Sequence, residues 1–294
     1  MSNILKSKAV AVITGAASGL GLAAARTFAQ KGMVVCLVDA SSTVKDVAAG
    51  LRKEFSHTEI HAMEVDVSNL QDVTALRDTV FKECGSVHVL MNNAGIGREC
   101  PAMPADGQSF DEYLAQWQAV IDVNVWGVVY MSMLFGPVMR SQKEQSVIIN
   151  TGSKQGITCP PGNAGYNVSK AVVKTYTEQL AHELRNYPSS LCSAHLFIPG
   201  WAYTAMNGNG REGMTKPDGA WTAEQTVDYM IDKVFNHGDF YALCPDNETT
   251  TAIDHARIEW SLGDIIENRP ALSRWHPEYE KQFAEFLQKK VPNH

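Results

Sequence analysis

The chain has 294 residues, 45% of them hydrophobic and 19% charged, with a formal net charge of −7. That length and apolar content support a large buried core and argue against disorder. The acidic balance, with no basic stripe, speaks against nucleic acid and against an anionic membrane surface as partners.

Apolar runs rich in β-branched residues alternate with longer amphipathic stretches. "AVAVIT" (9–14) leads to "GLAAARTFAQKG" (21–32), and "MVVCLVD" (33–39) to "TVKDVAAGLRKEF" (43–55). "IHAMEVD" (60–66) leads to "LQDVTALRDTVFKEC" (70–84), and "VHVLMNNAG" (87–95) to an apolar stretch over 111–140. "SVIINTGS" (146–153) leads to "YNVSKAVVKTYTEQLAHELR" (166–185), followed by "SAHLFIPG" (193–200) and "DFYALCP" (239–245). Strands apolar on both faces belong inside a parallel sheet covered by helices. The alternation therefore predicts an α/β fold: a Rossmann-type doubly wound parallel sheet of about seven strands with helices on both faces. No linker or internal repeat divides 1–294, so one domain is expected. The Gly-rich stretch 201–221 reads as a loop, and about fifty residues (245–294) form an extended C-terminal tail.

The six cysteines, at 36, 84, 100, 159, 192 and 244, make no C-x-x-C and several lie in apolar runs. They read as small core residues in a reducing compartment, which points to the cytoplasm. The first residues lack the pattern of a signal peptide, and the separate apolar runs are too short for membrane spans. Without a secretion signal, the sequons at Asn167 and Asn247 read as chance matches. His182-Glu183 does not continue into H-E-x-x-H and no His/Cys cluster has ligand spacing, so no metal is expected.

The first strand runs into "TGAASGLG" (14–21). Glycines on a strand-to-helix turn let a ligand approach the backbone, and the helix N-terminus offers N–H groups to a pyrophosphate. The spacing is G-x-x-x-G-x-G, through Gly15, Gly19 and Gly21. Asp39 ends the second strand, where a carboxylate can accept from both hydroxyls of an adenosine ribose and repel a 2′-phosphate. Ala40, Ser41 and Ser42 follow it, and Ser18 lies in the glycine turn, so no base is present to welcome that phosphate. The pattern favours NAD over NADP. In "YNVSK" (166–170), helical spacing puts Tyr166 and Lys170 on one face, about 6 Å apart along the axis. A cation there favours phenolate and would make the tyrosine a proton shuttle.

Taken in order, "TGAASGLG", Asp39, "VDV" (65–67), "NNAG" (92–95), Asn124 in "VIDVNVWG", Ser153 in "INTGS", "YNVSK" and "PGWAYT" (199–204) resemble the classical short-chain dehydrogenase/reductase family over roughly residues 8–205. The resemblance implies hydride transfer between a secondary alcohol or ketone and a nicotinamide cofactor, here NAD. It implies a catalytic set of Asn124, Ser153, Tyr166 and Lys170. Tyr166 would be the general acid/base, Ser153 would steady the substrate oxygen, and Asn124 would anchor a relay water. Lys170 would tune the phenol and bind ribose hydroxyls. It also implies a cofactor cleft built from Gly15, Ser18, Gly19, Leu20, Gly21, Asp39, Asp66, Val67, Asn93, Gly95, Tyr166, Lys170, Pro199, Gly200, Ala202 and Thr204. Ala202 stands where relatives usually carry Val or Ile.

On the substrate side, the resemblance points to Ser153, Gln155, Tyr166, Trp201, Tyr203 and Met206, with Ile157 and Lys154 as neighbours. Lys154 reads either as a partner for an anionic substrate or as a solvated loop residue. The tail departs from shorter family members, which leaves a homodimer or a homotetramer open, the dimer preferred. Two other readings stay open: a non-catalytic NAD-binding regulatory protein, and an NADPH-dependent ketoreductase. The first would be expected to lose Tyr166 or Lys170.

Overall fold

Residue patterning along the first strand sets the whole architecture. Strand β1, Val10–Thr14, is buried at every position. Ala11 and Ile13 face one layer of helices, and Val10 and Val12 face the other. The computed structural model, which describes residues 4–204 and 215–292, extends that pattern across a seven-stranded sheet. The other strands are β2 (Val34–Asp39), β3 (Ile60–Glu64), β4 (Val89–Asn92), β5 (Ser146–Thr151), β6 (Cys192–Ile198) and β7 (Tyr241–Leu243). They lie in the order β3-β2-β1-β4-β5-β6-β7, every pair parallel. Each expected strand is present, trimmed by a few residues at its ends.

One core layer packs the sheet against helices α1 (Gly19–Gln30), α2 (Val44–Glu54) and α8 (Ala223–Ile231), with Phe28 and Phe235 at its centre. The opposite layer packs it against α3 (Leu70–Cys84), α5 (Gly127–Ser141) and α7 (Ala164–Asn186) through Phe135, Met131 and Leu184. β1 and β4 are neighbours, and the chain order runs outward in opposite directions from them. In such a sheet the crevice beyond the carboxyl ends of these two strands is where ligands bind.

Helix α4 (Phe110–Ile121), a π turn (Asp122–Trp126) and α5 run as one helix, Phe110–Ser141. This corrects the expectation from separate runs: the joined helix is long and apolar enough to cross a membrane. In this fold half of its most apolar window is buried inside the protein. The tail forms α9 (Thr251–Ile266) and α10 (Glu280–Lys290). Trp260 of α9 stacks between Phe283, Phe286 and the Arg269 guanidinium. α9 packs onto the short helix α6 (Gln155–Thr158), which follows the end of β5.

Candidate active site

Two turns at the carboxyl ends of β1 and β4 are tied to each other. The Thr14 hydroxyl accepts from the N–H groups of Asn93 and Ala94, at 2.9 and 3.0 Å. The Asn93 amide donates back to the Thr14 carbonyl at 3.1 Å. Gly15 has φ +65°, and a Cβ there would lie 2.8 Å from the Ala94 Cα. At Gly21 a Cβ would sit 2.1 Å from the Gly15 carbonyl oxygen, so no other residue lets the helix start this close to the strand. Gly19 faces Thr204, whose methyl would lie 3.3 Å from an added Cβ. The "TGAASGLG" and "PGWAYT" segments therefore meet, with exposed Ser18 and half-buried Leu20 on the same turn.

Asp39 ends β2 with one carboxylate oxygen accepting from the Ala17 N–H at 3.0 Å and the other from the Ser41 N–H at 2.9 Å. Its charge is thus held beside the glycine turn. Asp66 is exposed and accepts from the N–H and hydroxyl of Ser68. Val67, expected in the cofactor cleft, turns its side chain away from solvent. It is buried against Gly127, where an added Cβ would lie 2.7 Å from it, so only its main chain can serve the cleft.

Tyr166 lies in the first turn of α7. The helix start is fixed by Asn163, whose side-chain oxygen accepts from the N–H groups of Tyr166 and Cys100 and whose amide donates to the Arg98 carbonyl. Gly156 brings α6 against α7, since a Cβ there would lie 2.4 Å from the Lys170 backbone. This contact sets Ser153, just after β5, beside the Tyr166 phenol, where its hydroxyl favours the phenolate. The Ser153 hydroxyl also accepts from the Gln155 N–H at 3.1 Å.

Lys170 is buried, and its Nζ donates to the Thr151 carbonyl at 2.9 Å while lying 5.7 Å from the centre of the Tyr166 ring. Burial lowers its pKa to about 8. The phenol behaves otherwise than expected. Burial pushes the Tyr166 pKa up and the Ser153 hydroxyl pulls it only partly back. One ammonium hydrogen goes to the Thr151 carbonyl, and burial outweighs the other influences on the phenol, so the chain alone favours its neutral form.

Asn124 sits in the π turn, a feature common at functional sites. Its side-chain oxygen accepts from the Ile96 N–H at 2.8 Å, and its amide donates to the Ile96 carbonyl and the Ser169 hydroxyl. Ser169 in turn donates to the Tyr166 carbonyl. Both amide hydrogens are used inside the protein, so Asn124 is a strut between the β4 loop and α7. Any water it holds must use the remaining lone pair or the main chain.

Of the candidate substrate residues, Gln155 is exposed, while Trp201 and Tyr203 are half-buried and bridge through main-chain bonds to Trp221. Met206 lies outside the described residues, as does part of the expected 201–221 loop. Lys154 is neither a solvated residue nor free for a substrate. It is ion-paired with Asp254 at 2.6 Å and with Asp246 at 3.2 Å. Asp246 also accepts from the Trp201 N–H at 3.0 Å. Sequence reading missed both aspartates, which lie 92 and 100 residues from Lys154 with no local pattern to signal them. The sequon at Asn167 is buried and its amide donates to the Pro160 carbonyl at 2.7 Å, which leaves no room for a glycan. Among the described residues no cluster of His, Cys, Asp or Glu could hold a metal.

A family model described as short chain dehydrogenase matches residues 9–215. The chain belongs to this family. Short-chain dehydrogenase sequences similar to it include a 3-oxoacyl-[acyl-carrier-protein] reductase of Synechocystis, 33% identical over 68% of this chain and 76% of that protein. A 3alpha-hydroxysteroid dehydrogenase of Mediterraneibacter gnavus is 32% identical over 63% of this chain and 70% of its own length. A crystal structure of a short-chain dehydrogenase/reductase from Burkholderia phymatum in complex with NAD superposes with a TM-score of 0.77 at 29% identity, covering 91% of this chain and 97% of that one. The chain is thus an oxidoreductase of the short-chain dehydrogenase family, and solved relatives bind NAD or NADP.

Proposed function

We propose that this protein is an NAD-dependent dehydrogenase that interconverts a secondary alcohol and a ketone, with Tyr166 as general acid/base. The observation that carries the reading is the placement of Ser153 beside the Tyr166 phenol at the sheet's crevice, one helical turn from the buried Lys170 ammonium. Asp39 supports NAD, because its carboxylate stands at the end of β2 with Ala40, Ser41 and Ser42 after it and no adjacent base.

The residues fit a dinucleotide. Gly15, Ser18, Gly19, Leu20 and Gly21 would take the pyrophosphate on the α1 N-terminus, since side chains there would fill the cradle. Asp39 would hold the adenosine ribose, Asp66 and the Val67 main chain the adenine end. Asn93, Gly95, Pro199, Gly200, Ala202 and Thr204 would line the nicotinamide end, with Tyr166 and Lys170 near its ribose. Bound NAD would supply the hydride acceptor and a positive charge to the crevice.

The chain's own groups then handle the proton. In reduction the neutral phenol, favoured by burial, gives its proton to the substrate oxygen while Ser153 donates a hydrogen bond to it. In oxidation the phenolate must form first, and positive charge near the phenol lowers its cost. Gln155, Trp201 and Tyr203 would face the substrate. We place the enzyme in the cytosol on its six free thiols. We read it as a homodimer or homotetramer, supported by exposed Trp126, Met133, Val168 and Val172 on the joined helix and α7.

A panel of secondary alcohols with NAD or NADP, followed at 340 nm, tests the reading. NADH formation with a related group of alcohols is expected. Turnover supported only by NADP would overturn the cofactor assignment, and a protein that binds neither cofactor would overturn the function.

A further inference from the structure

Behind the residue that follows Ser153 lies a cavity of about 40 Å³, lined by Lys154, Ile157, Leu243, Asp254, Arg257 and Arg274. Its charges do not balance. Lys154 uses both nearby carboxylates, Asp254 at 2.6 Å and Asp246 at 3.2 Å. Two guanidiniums remain. Arg257 donates to the Thr249 hydroxyl at 3.2 Å, but its Nε is buried without a hydrogen-bond partner. Arg274 lies over the faces of Trp275 and Phe283. Burial and the charge of Arg257 push its pKa down to about 10. Among the described residues neither guanidinium forms an ion pair, so three cations face two carboxylates and one positive charge is left over.

Two half-buried guanidiniums that face each other without a paired carboxylate repel, and an anion between them relieves that repulsion. We propose that this cavity binds one small monovalent anion, of halide or formate size, held by Arg257 and Arg274. The volume sets the class: a single water needs roughly 10–15 Å³ by the same measure, so 40 Å³ suits a halide and excludes a nucleotide or a sugar acid. The anion would join two parts of the tail next to Lys154. Arg257 lies on α9, Arg274 on the turn after it, and Lys154 precedes α6. Its binding therefore fastens α9 to the turn that follows it, beside the Lys154 clamp.

Thermal unfolding of the full chain in sodium bromide, against sodium gluconate at equal ionic strength, is the test. Gluconate is too large for the cavity. Bromide is expected to raise Tm by about 2 °C or more with saturation, and gluconate is not. Arg274→Gln and Arg257→Gln should each abolish the bromide response. Identical curves in the two salts, or an unchanged bromide response in both variants, would overturn the site. Should the variants fold poorly, crystals of the wild-type protein grown in bromide decide the matter. An anomalous peak between the two guanidiniums supports the proposal, and its absence contradicts it.

Discussion

Lys154 Nζ lies 2.6 Å from the Asp254 carboxylate, which fastens the residue after Ser153 to the first turn of α9. Asp246 completes the clamp from the other side and accepts from the Trp201 N–H, so the "PG" turn is bound to the same ammonium. The two carboxylates respond differently. Burial pushes both upward. At Asp246 the Trp201 N–H and Lys154 outweigh it and hold the group low, while at Asp254 burial prevails.

Removal of the shared cation should therefore be costly. Lys154→Met removes the ammonium that both carboxylates share and is expected to destabilise the protein by about 3 kcal/mol. Urea unfolding gives the number. Limited proteolysis should show faster cleavage of the tail, and a variant with wild-type stability and an equally resistant tail would contradict the clamp.

Much of this molecule is legible in its sequence because strands buried on both faces read as unbroken apolar runs. Val10–Thr14 and Ser146–Thr151 are of that kind. The glycine turn was legible for a similar reason: Gly21 has no room for a Cβ, and that constraint is local. What the sequence hid was long-range. Nothing near Lys154 announces Asp246 or Asp254, and nothing near Asn124 announces that Ile96 and Ser169 take its amide hydrogens. The electrostatics of Tyr166 also escaped. Spacing puts Lys170 on the right face, but it does not show that burial sets the phenol's direction.

Lys170 carries a pH signature of its own. Its folded pKa, about 8, lies below the ordinary 10.5. The unfolded state thus binds more protons between these values, so its contribution to stability rises with pH across that window. Tyrosines and cysteines titrate there too, so the difference between wild type and Lys170→Met isolates the effect. That difference should shift toward the wild type by about 2 kcal/mol from pH 7 to pH 10. A pH-independent difference in chemical denaturation would show that the lysine is not desolvated.

Gly21→Ala forces a Cβ to within 2.1 Å of the Gly15 carbonyl, and the turn must open to relieve it. NADH affinity, read by fluorescence titration, should fall at least ~10-fold as the N–H groups of the helix start lose their aim. Unchanged affinity would remove the glycine turn from the cofactor site.

Asp39→Ala tests cofactor choice. The wild type should bind NADH at least ~10-fold tighter than NADPH, and the variant should narrow that ratio by losing both the ribose acceptor and the repulsion of a 2′-phosphate. Equal dissociation constants in the wild-type protein would contradict the role given to Asp39.

The proposed function turns on the Tyr166 phenol, set beside Ser153, moving the proton. The most direct measurement is steady-state turnover of Tyr166→Phe beside the wild type, with NADH binding followed on the same samples. A loss in kcat of at least ~10²-fold is expected, with nearly unchanged NADH affinity. Near-normal turnover in the variant would contradict it.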